Sequence, residues 1–387
     1  MQNFIFENPT KILFGKDQIR MVGREVAHFG RKALLVYGQG SIKKNGVYDQ
    51  IVSSLAEAGI ERIEFPGVRA NPVLSHVLEG RALALREGID VVLAAGGGSV
   101  IDEAKTIAAA AKTDGDVWDF FVGARVIQAA LPVLTVVTLS ASASEMNQGA
   151  VITNEDGARK YSVRSPHIQP KTSILDPTTL FTLSPAYSAY SAVDAITHML
   201  EGYFNNTEPE SILQDRLVEG LMKTIMESTE TILKEPADYD ARAAMMWTSV
   251  LAFNGLTTAG MGMVGLPAHM IEHSLSALYD IAHGAGLSIV LPGWMRYAVQ
   301  KSPVKFARLG REIFGIRQGD NLKAGLKGIR RLKEWFAAIG CPVSLADAAI
   351  PDADIGNIAE HASALAKLWR LKDYTEEEIA EVLSLCT

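Results

Sequence analysis

The 387 residues contain two cysteines, Cys341 and Cys386, far apart and in no Cys-x-x-Cys arrangement. That scarcity excludes a disulfide framework and a thiolate zinc site, and points to a reducing compartment, the cytoplasm. A surplus of positive charge is also missing. Lysine and arginine total 37 against 44 acids, a formal net charge of −7, which argues against nucleic acid or an anionic membrane as the main partner. No basic segment followed by an apolar run opens the chain, so no signal peptide is expected. Residues 243–268 carry no charge at all. Asn254, the Thr257-Thr258 pair and repeated glycines interrupt them, so buried helices and loops are expected rather than a membrane span.

What is present is a change of pattern part-way along the chain. Short apolar runs at residues 32–38, 60–67, 90–99 and 131–140 end in Gly or Ser and alternate with amphipathic stretches such as 46–58 and 74–87. Strands alternating with helices predict an α/β half built on a parallel sheet. "FIFENPTKILFG" (residues 4–15) reads as an additional N-terminal hairpin. After "SILDP" (173–177) strand runs become rare. Ser184-Pro185 looks like a helix start, with Ser as the cap and Pro in the first helical position. The predicted division is an α/β half over 1–180 and an all-helical half over 181–387.

"AAGGGSVIDEAK" (94–105) places three glycines between a buried strand and a helix. Glycines let backbone approach an anion, and the free N–H groups of a helix start can bind phosphate. Ser99 and Asp102 have the spacing of a capping box. The dinucleotide pattern G-x-G-x-x-G is absent. A second turn, "YGQGSIKKNG" (37–46), ends an earlier strand in Gly38 and continues into Ser41, Lys43 and Lys44. Enzymes selective for NAD place an acid in such a position, whereas this turn leaves room for a 2′-phosphate.

Eight histidines occur, four of them between residues 198 and 283. Asp194 and His198 are four apart in the apolar stretch "AVDAITHMLEG", hence stacked on one helix face. "LPAHMIEHSLSALYDIAHGAGLSIVLP" (266–292) carries His269, His273 and His283. A buried carboxylate needs a partner, and a divalent metal is an effective one. Mixed imidazole and carboxylate donors suit Fe²⁺ or Zn²⁺ better than Mg²⁺ or Ca²⁺. Met-Ile-Glu between His269 and His273 misplaces the acid for His-Glu-x-x-His, which excludes the zinc-protease arrangement. Spacing alone leaves open which of the three histidines is not a ligand.

With these motifs, together with "NPTKILFG", "ANP" at 70–72 and "ILDP", the chain resembles the iron-containing (group III) alcohol dehydrogenases along essentially its whole length. It is most similar to their butanol dehydrogenase and NADPH-dependent aldehyde reductase branch. The resemblance implies an α/β dinucleotide domain, a helical domain and an active site in the cleft between them. It implies Asp194, His198, His269 and His283 as ligands of one Fe²⁺ or Zn²⁺, with His273 near the nicotinamide as a proton relay or a hydrogen-bonding support. Gly97, Gly98 and Ser99 would form the pyrophosphate turn, and Asn71 and Asp102 would line the coenzyme cleft. Lys160 would lie near the nicotinamide ribose. Gly38, with Ser41, would favour NADP(H) over NAD(H).

One stretch departs from the family pattern. Gly-Thr-Gly-Ser-Glu or Ala-Thr-Gly-Ser-Glu is replaced by Ala141-Ser142-Ala143-Ser144-Glu145. Thr138 and Ser142 are carried over as coenzyme contacts, with Ala143 expected to alter the loop. The implied reaction is interconversion of primary alcohols and aldehydes by a cytoplasmic homodimer. The metal would polarise the substrate oxygen and the coenzyme would carry the hydride. Rival readings are a glycerol-type polyol dehydrogenase or a dehydroquinate synthase-like cyclase on the same architecture, and a binding protein without catalysis. The Asp/His/His/His set argues against the first two.

Overall fold

The computed structural model describes residues 1–208 and 211–387. These fall into two compact units. One comprises Glu7–Leu183 with Pro236–Val250, the other Met1–Phe6, Ser184–Glu235 and Leu251–Thr387. The change at Ser184 lies close to the boundary expected after residue 180, but two segments belong to the opposite unit. The helix Tyr239–Phe253 begins in the first and finishes in the second.

The first unit is built on eight strands: β1 (Lys11–Phe14), β2 (Lys32–Tyr37), β3 (Glu61–Pro66), β4 (Val91–Gly96), β5 (Val133–Val137), β6 (Gly149–Asn154), β7 (Arg159–Arg164) and β8 (Thr172–Leu175). Six form one sheet in the order β1-β8-β5-β4-β2-β3, every neighbouring pair parallel. β4 and β5 are buried along their whole length, as a central parallel strand covered on both faces requires. Helices Val47–Glu57, Leu74–Glu87 and Gly98–Ala110 occupy the connections. The chain runs from β2 outward to β3 and then returns to the other side of β2 with β4. The turns after β2 and β4 therefore flank the point where strand order reverses, the place where open α/β sheets bind ligands.

One local expectation needs correction. Residues 4–15 do not form a hairpin. Only β1 is a strand, and it pairs in parallel with β8. The residues before it are tied by side chains: Asn8 Nδ2 donates to the Met146 carbonyl at 2.8 Å and Thr10 Oγ1 to that of Pro170 at 2.8 Å. The hairpin of this unit is instead β6–β7, an antiparallel pair around Asp156-Gly157.

The second unit is helical. Ser184 caps Pro185–Phe204, its hydroxyl accepting from Tyr187 N at 3.3 Å. Helices Ile212–Lys234, Pro267–Tyr279, His283–Ala298, Pro303–Phe314, Asn321–Ala338, Ile355–Leu368 and Glu376–Ser384 follow. Among the described residues no helix is long and apolar enough to cross a membrane. Cys341 and Cys386 are both buried thiols.

Candidate metal and coenzyme sites

Three helices supply the donor cluster. The mostly apolar Pro185–Phe204 helix buries Asp194 and His198 one turn apart. Pro267–Tyr279 buries His269 and His273, and His283 opens the next helix. Asp194 Oδ1 lies 3.2 Å from His198 Nε2, 3.6 Å from His269 Nε2 and 3.8 Å from His283 Nε2. Three imidazole nitrogens thus surround one carboxylate oxygen; the donor atoms of Asp194, His198 and His269 lie within 4.8 Å of one another, and those of Glu272, His273 and His283 form a second such group. Asp194 Oδ1 and His269 Nε2 are buried without a hydrogen-bond partner, an arrangement that is costly unless something else binds them. The donor set fits a divalent transition metal, and its three imidazoles disfavour a hard cation such as Mg²⁺.

Two acids hold the imidazoles in place. His269 Nδ1 donates to Glu201 Oε2, and the other Glu201 oxygen accepts the Ala268 N–H at 2.5 Å and the His269 N–H at 3.2 Å. His283 Nδ1 donates to Glu272 Oε2, while Glu272 Oε1 accepts from Ser276 Oγ. Both acids are completely buried. An acceptor at Nδ1 leaves the Nε2 lone pair facing the cluster. Burial opposes charging of His269, yet the Glu201 and Asp194 carboxylates push its pKa up to about 10, so a cation bound at Nε2 would replace a proton there. His198 lies between the ring of Phe253 (4.0 Å) and that of His269 (4.2 Å). His273 is buried beside the cluster, its ring centre 5.8 Å from that of His283 and edge-on to Trp369 at 5.4 Å.

The coenzyme candidates lie in the other unit. After β4, Gly97 is extended and Gly98 starts the helix. A Cβ at Gly98 would stand 2.4 Å from Ser142 Oγ, so the glycine-rich turn and the loop after β5 pack directly on each other. Thr138 N donates to the Gly96 carbonyl at 3.0 Å, joining the ends of β5 and β4. The expected capping box does not form. Ser99 Oγ donates to the Ala70 carbonyl at 2.5 Å, and Asp102 turns to Ser144 Oγ (2.5 Å) and Val151 N (3.0 Å). Asn71 and Lys160 are brought together: Lys160 Nζ donates to Asn71 Oδ1 at 3.1 Å, and both residues are buried.

In the turn after β2, Ser41 opens a short helix and is exposed. A Cβ at Gly38 would meet only the Val68 carbonyl oxygen at 3.5 Å and Val100 Cγ2 at 4.0 Å, ordinary contacts. Lys43 is engaged, 3.5 Å from Glu64 Oε2 and over the Tyr48 ring at 4.6 Å, and Gln39 donates to the Gly67 carbonyl at 3.1 Å; Ser41 and Lys44 are the other exposed polar residues of this turn. Ala143 retains the conformation that a glycine would favour, with φ 52° and ψ 22°.

The model of the iron-containing alcohol dehydrogenases matches residues 9–177, and that of the C-terminal part of the same family matches residues 188–386. The chain belongs to the iron-containing alcohol dehydrogenase family. As a member, it is an NAD(P)-dependent enzyme of alcohol–aldehyde oxidoreduction. It is 39% identical over 386 residues to the probable NADH-dependent butanol dehydrogenase 1 of Bacillus subtilis, covering 99% of each chain. It is 36% identical to the NADPH-dependent aldehyde reductase of Escherichia coli, over 90% of this chain and 89% of that one. The crystal structure of NADH-dependent butanol dehydrogenase A from Thermotoga maritima superimposes with a TM-score of 0.96 at 46% identity, covering 100% of this chain and 99% of the other. In this alcohol dehydrogenase, sequence reasoning missed Glu201 and the role of Glu272. The available signal was a lone acid three residues after a candidate ligand, in each case inside an apolar helix.

Proposed function

We propose that this dehydrogenase interconverts short aldehydes and primary alcohols with NADP(H) in preference to NAD(H), at one Fe²⁺ or Zn²⁺ held by Asp194, His198, His269 and His283. The convergence of Asp194 Oδ1 with three Nε2 atoms carries the reading. In the proposed division of labour, residues 1–180 hold the coenzyme and residues 181–387 hold metal and substrate.

A bound metal supplies Lewis-acid polarisation of the substrate oxygen, and a nicotinamide supplies the hydride. The rest falls to the chain. Asp194 contributes the negative charge that offsets the cation. Glu201 and Glu272 keep His269 and His283 in the tautomer that presents Nε2. His273 holds or passes the alcohol proton, work suited to an imidazole near neutral pH. Gly97, Gly98 and Ser99 accommodate the pyrophosphate, with Thr138, Ser142, Asn71, Asp102 and Lys160 around the remainder of the coenzyme. Gly38 supports NADP(H), because no carboxylate stands there to repel a 2′-phosphate and Ser41 offers a hydroxyl beside it.

The small aldehyde or alcohol is the proposed partner, neither nucleic acid nor membrane. A cytoplasmic homodimer completes the reading. Its supports are the two buried thiols and the exposed Phe4 and Ile5 of the N-terminal segment, Ile5 at 95%. Initial rates with NADPH and NADH against a series of straight-chain aldehydes test the proposal. Turnover faster with NADPH supports it, and absence of turnover with every aldehyde overturns it.

A further inference from the structure

Lys105, in the helix Gly98–Ala110, is completely buried. Its ammonium meets four oxygens, all from one short segment of chain. They are Ser144 Oγ at 2.9 Å, the Asn147 carbonyl at 3.0 Å, Asn147 Oδ1 at 3.2 Å and the Gly149 carbonyl at 2.7 Å. One turn earlier Asp102 reaches the same segment, accepting from Ser144 Oγ at 2.5 Å and from Val151 N at 3.0 Å. Burying a cation costs several kcal/mol unless it is well bonded, and an apolar side chain would fill the space without that cost. What the ammonium adds is therefore the shape of the loop.

That loop needs an external hold. Ala143 is buried in the left-handed region at φ 52°, where an alanine is strained. The hold extends to the coenzyme turn through Asn147, whose Oδ1 accepts from Lys105 and whose Nδ2 donates to the Ser142 carbonyl at 3.1 Å. Ser142 in turn lies against Gly98.

We propose that Lys105 is a positioning residue for the coenzyme: through Asn147 and Ser144 it clamps residues 141–149 in the form that receives the nicotinamide dinucleotide against the turn at Gly97 and Gly98. This rests on the coenzyme reading given above. The four oxygens around the ammonium, the two bonds to Asp102 and the strained alanine make the clamp specific to this loop. The coenzyme itself is not touched by Lys105.

Direct binding of NADPH, followed by calorimetry with the full-length metal-loaded protein, tests the proposal. In Lys105→Met the dissociation constant is expected to rise about tenfold or more. KM for coenzyme should rise while kcat at saturating coenzyme and the bound metal stay near wild-type values. Lys105→Arg, which keeps a charged donor, should recover part of the affinity. Should Lys105→Met fail to fold, Asn147→Ala decides, since it cuts the link to Ser142 at a partly exposed position; a rise in the dissociation constant without a lower melting temperature supports the clamp. Folded variants that bind NADPH as tightly as the wild type overturn it. A wild-type protein that binds neither NADPH nor NADH overturns the coenzyme reading itself and the clamp with it.

Discussion

Glu201 holds His269 at two places, taking the ring Nδ1–H on one oxygen and the backbone N–H on the other. The imidazole is thereby fixed in orientation and tautomer. Glu201→Gln keeps the shape but puts an NH₂ opposite Nδ1, which favours the proton on Nε2 and removes the donor lone pair from the cluster. Loss of such a supporting carboxylate typically weakens metal affinity by about 10–100-fold. Competition with a chelator measures it, and an unchanged metal dissociation constant would show that Glu201 supports the fold alone.

His273 is the imidazole proposed to handle the proton rather than the metal. His273→Ala should keep bound metal and coenzyme affinity, while kcat falls and the pH–rate profile changes shape. Loss of metal in step with activity would mean that His273 is a ligand.

Much of this was legible because the sequence pattern and the physics coincide. β4 and β5 are apolar runs buried on both faces, and the imidazoles stand out in helices with few other charges. The β6–β7 hairpin was missed because strands such as Arg159–Arg164 are half polar, although Asp156-Gly157 between them is a hairpin turn signal. Phe4 to Gly15 read as a hairpin because its ends are apolar, but Asn8 and Thr10 spend their side chains on distant carbonyls. Glu272 was noticed only as an acid misplaced for a protease motif. A buried acid in an apolar helix announces that it has a partner without saying which, and His283 lies on the following helix.

A Cβ at Gly38 would make only ordinary contacts, so the proposed role in coenzyme choice can be tested there by substitution. Gly38→Asp should repel a 2′-phosphate and accept from a ribose hydroxyl, shifting the kcat/KM ratio towards NADH by at least about tenfold, or about 1.4 kcal/mol. A wild type that prefers NADH, or a variant with an unchanged ratio, would refute this assignment.

Ala143 carries the strain of a left-handed residue with a Cβ. That conformation costs about 1–2 kcal/mol, against about 0.4–1 kcal/mol of unfolded-chain entropy that glycine would add back. Glycine also gives up a fully buried methyl, about 0.8 kcal/mol, so Ala143→Gly is expected to change stability by less than about 1 kcal/mol, read as a small shift in melting temperature. A loss well beyond that would contradict the strain assigned to Ala143.

The most direct measurement follows NADPH consumption with butanal by the protein stripped of metal and then reloaded with Fe²⁺ or Zn²⁺. The expected result is no turnover in the stripped protein, recovery on reloading, and no recovery in Asp194→Ala. Equal turnover before and after reloading, or an Asp194→Ala protein as active as the wild type, would contradict the proposed metal site.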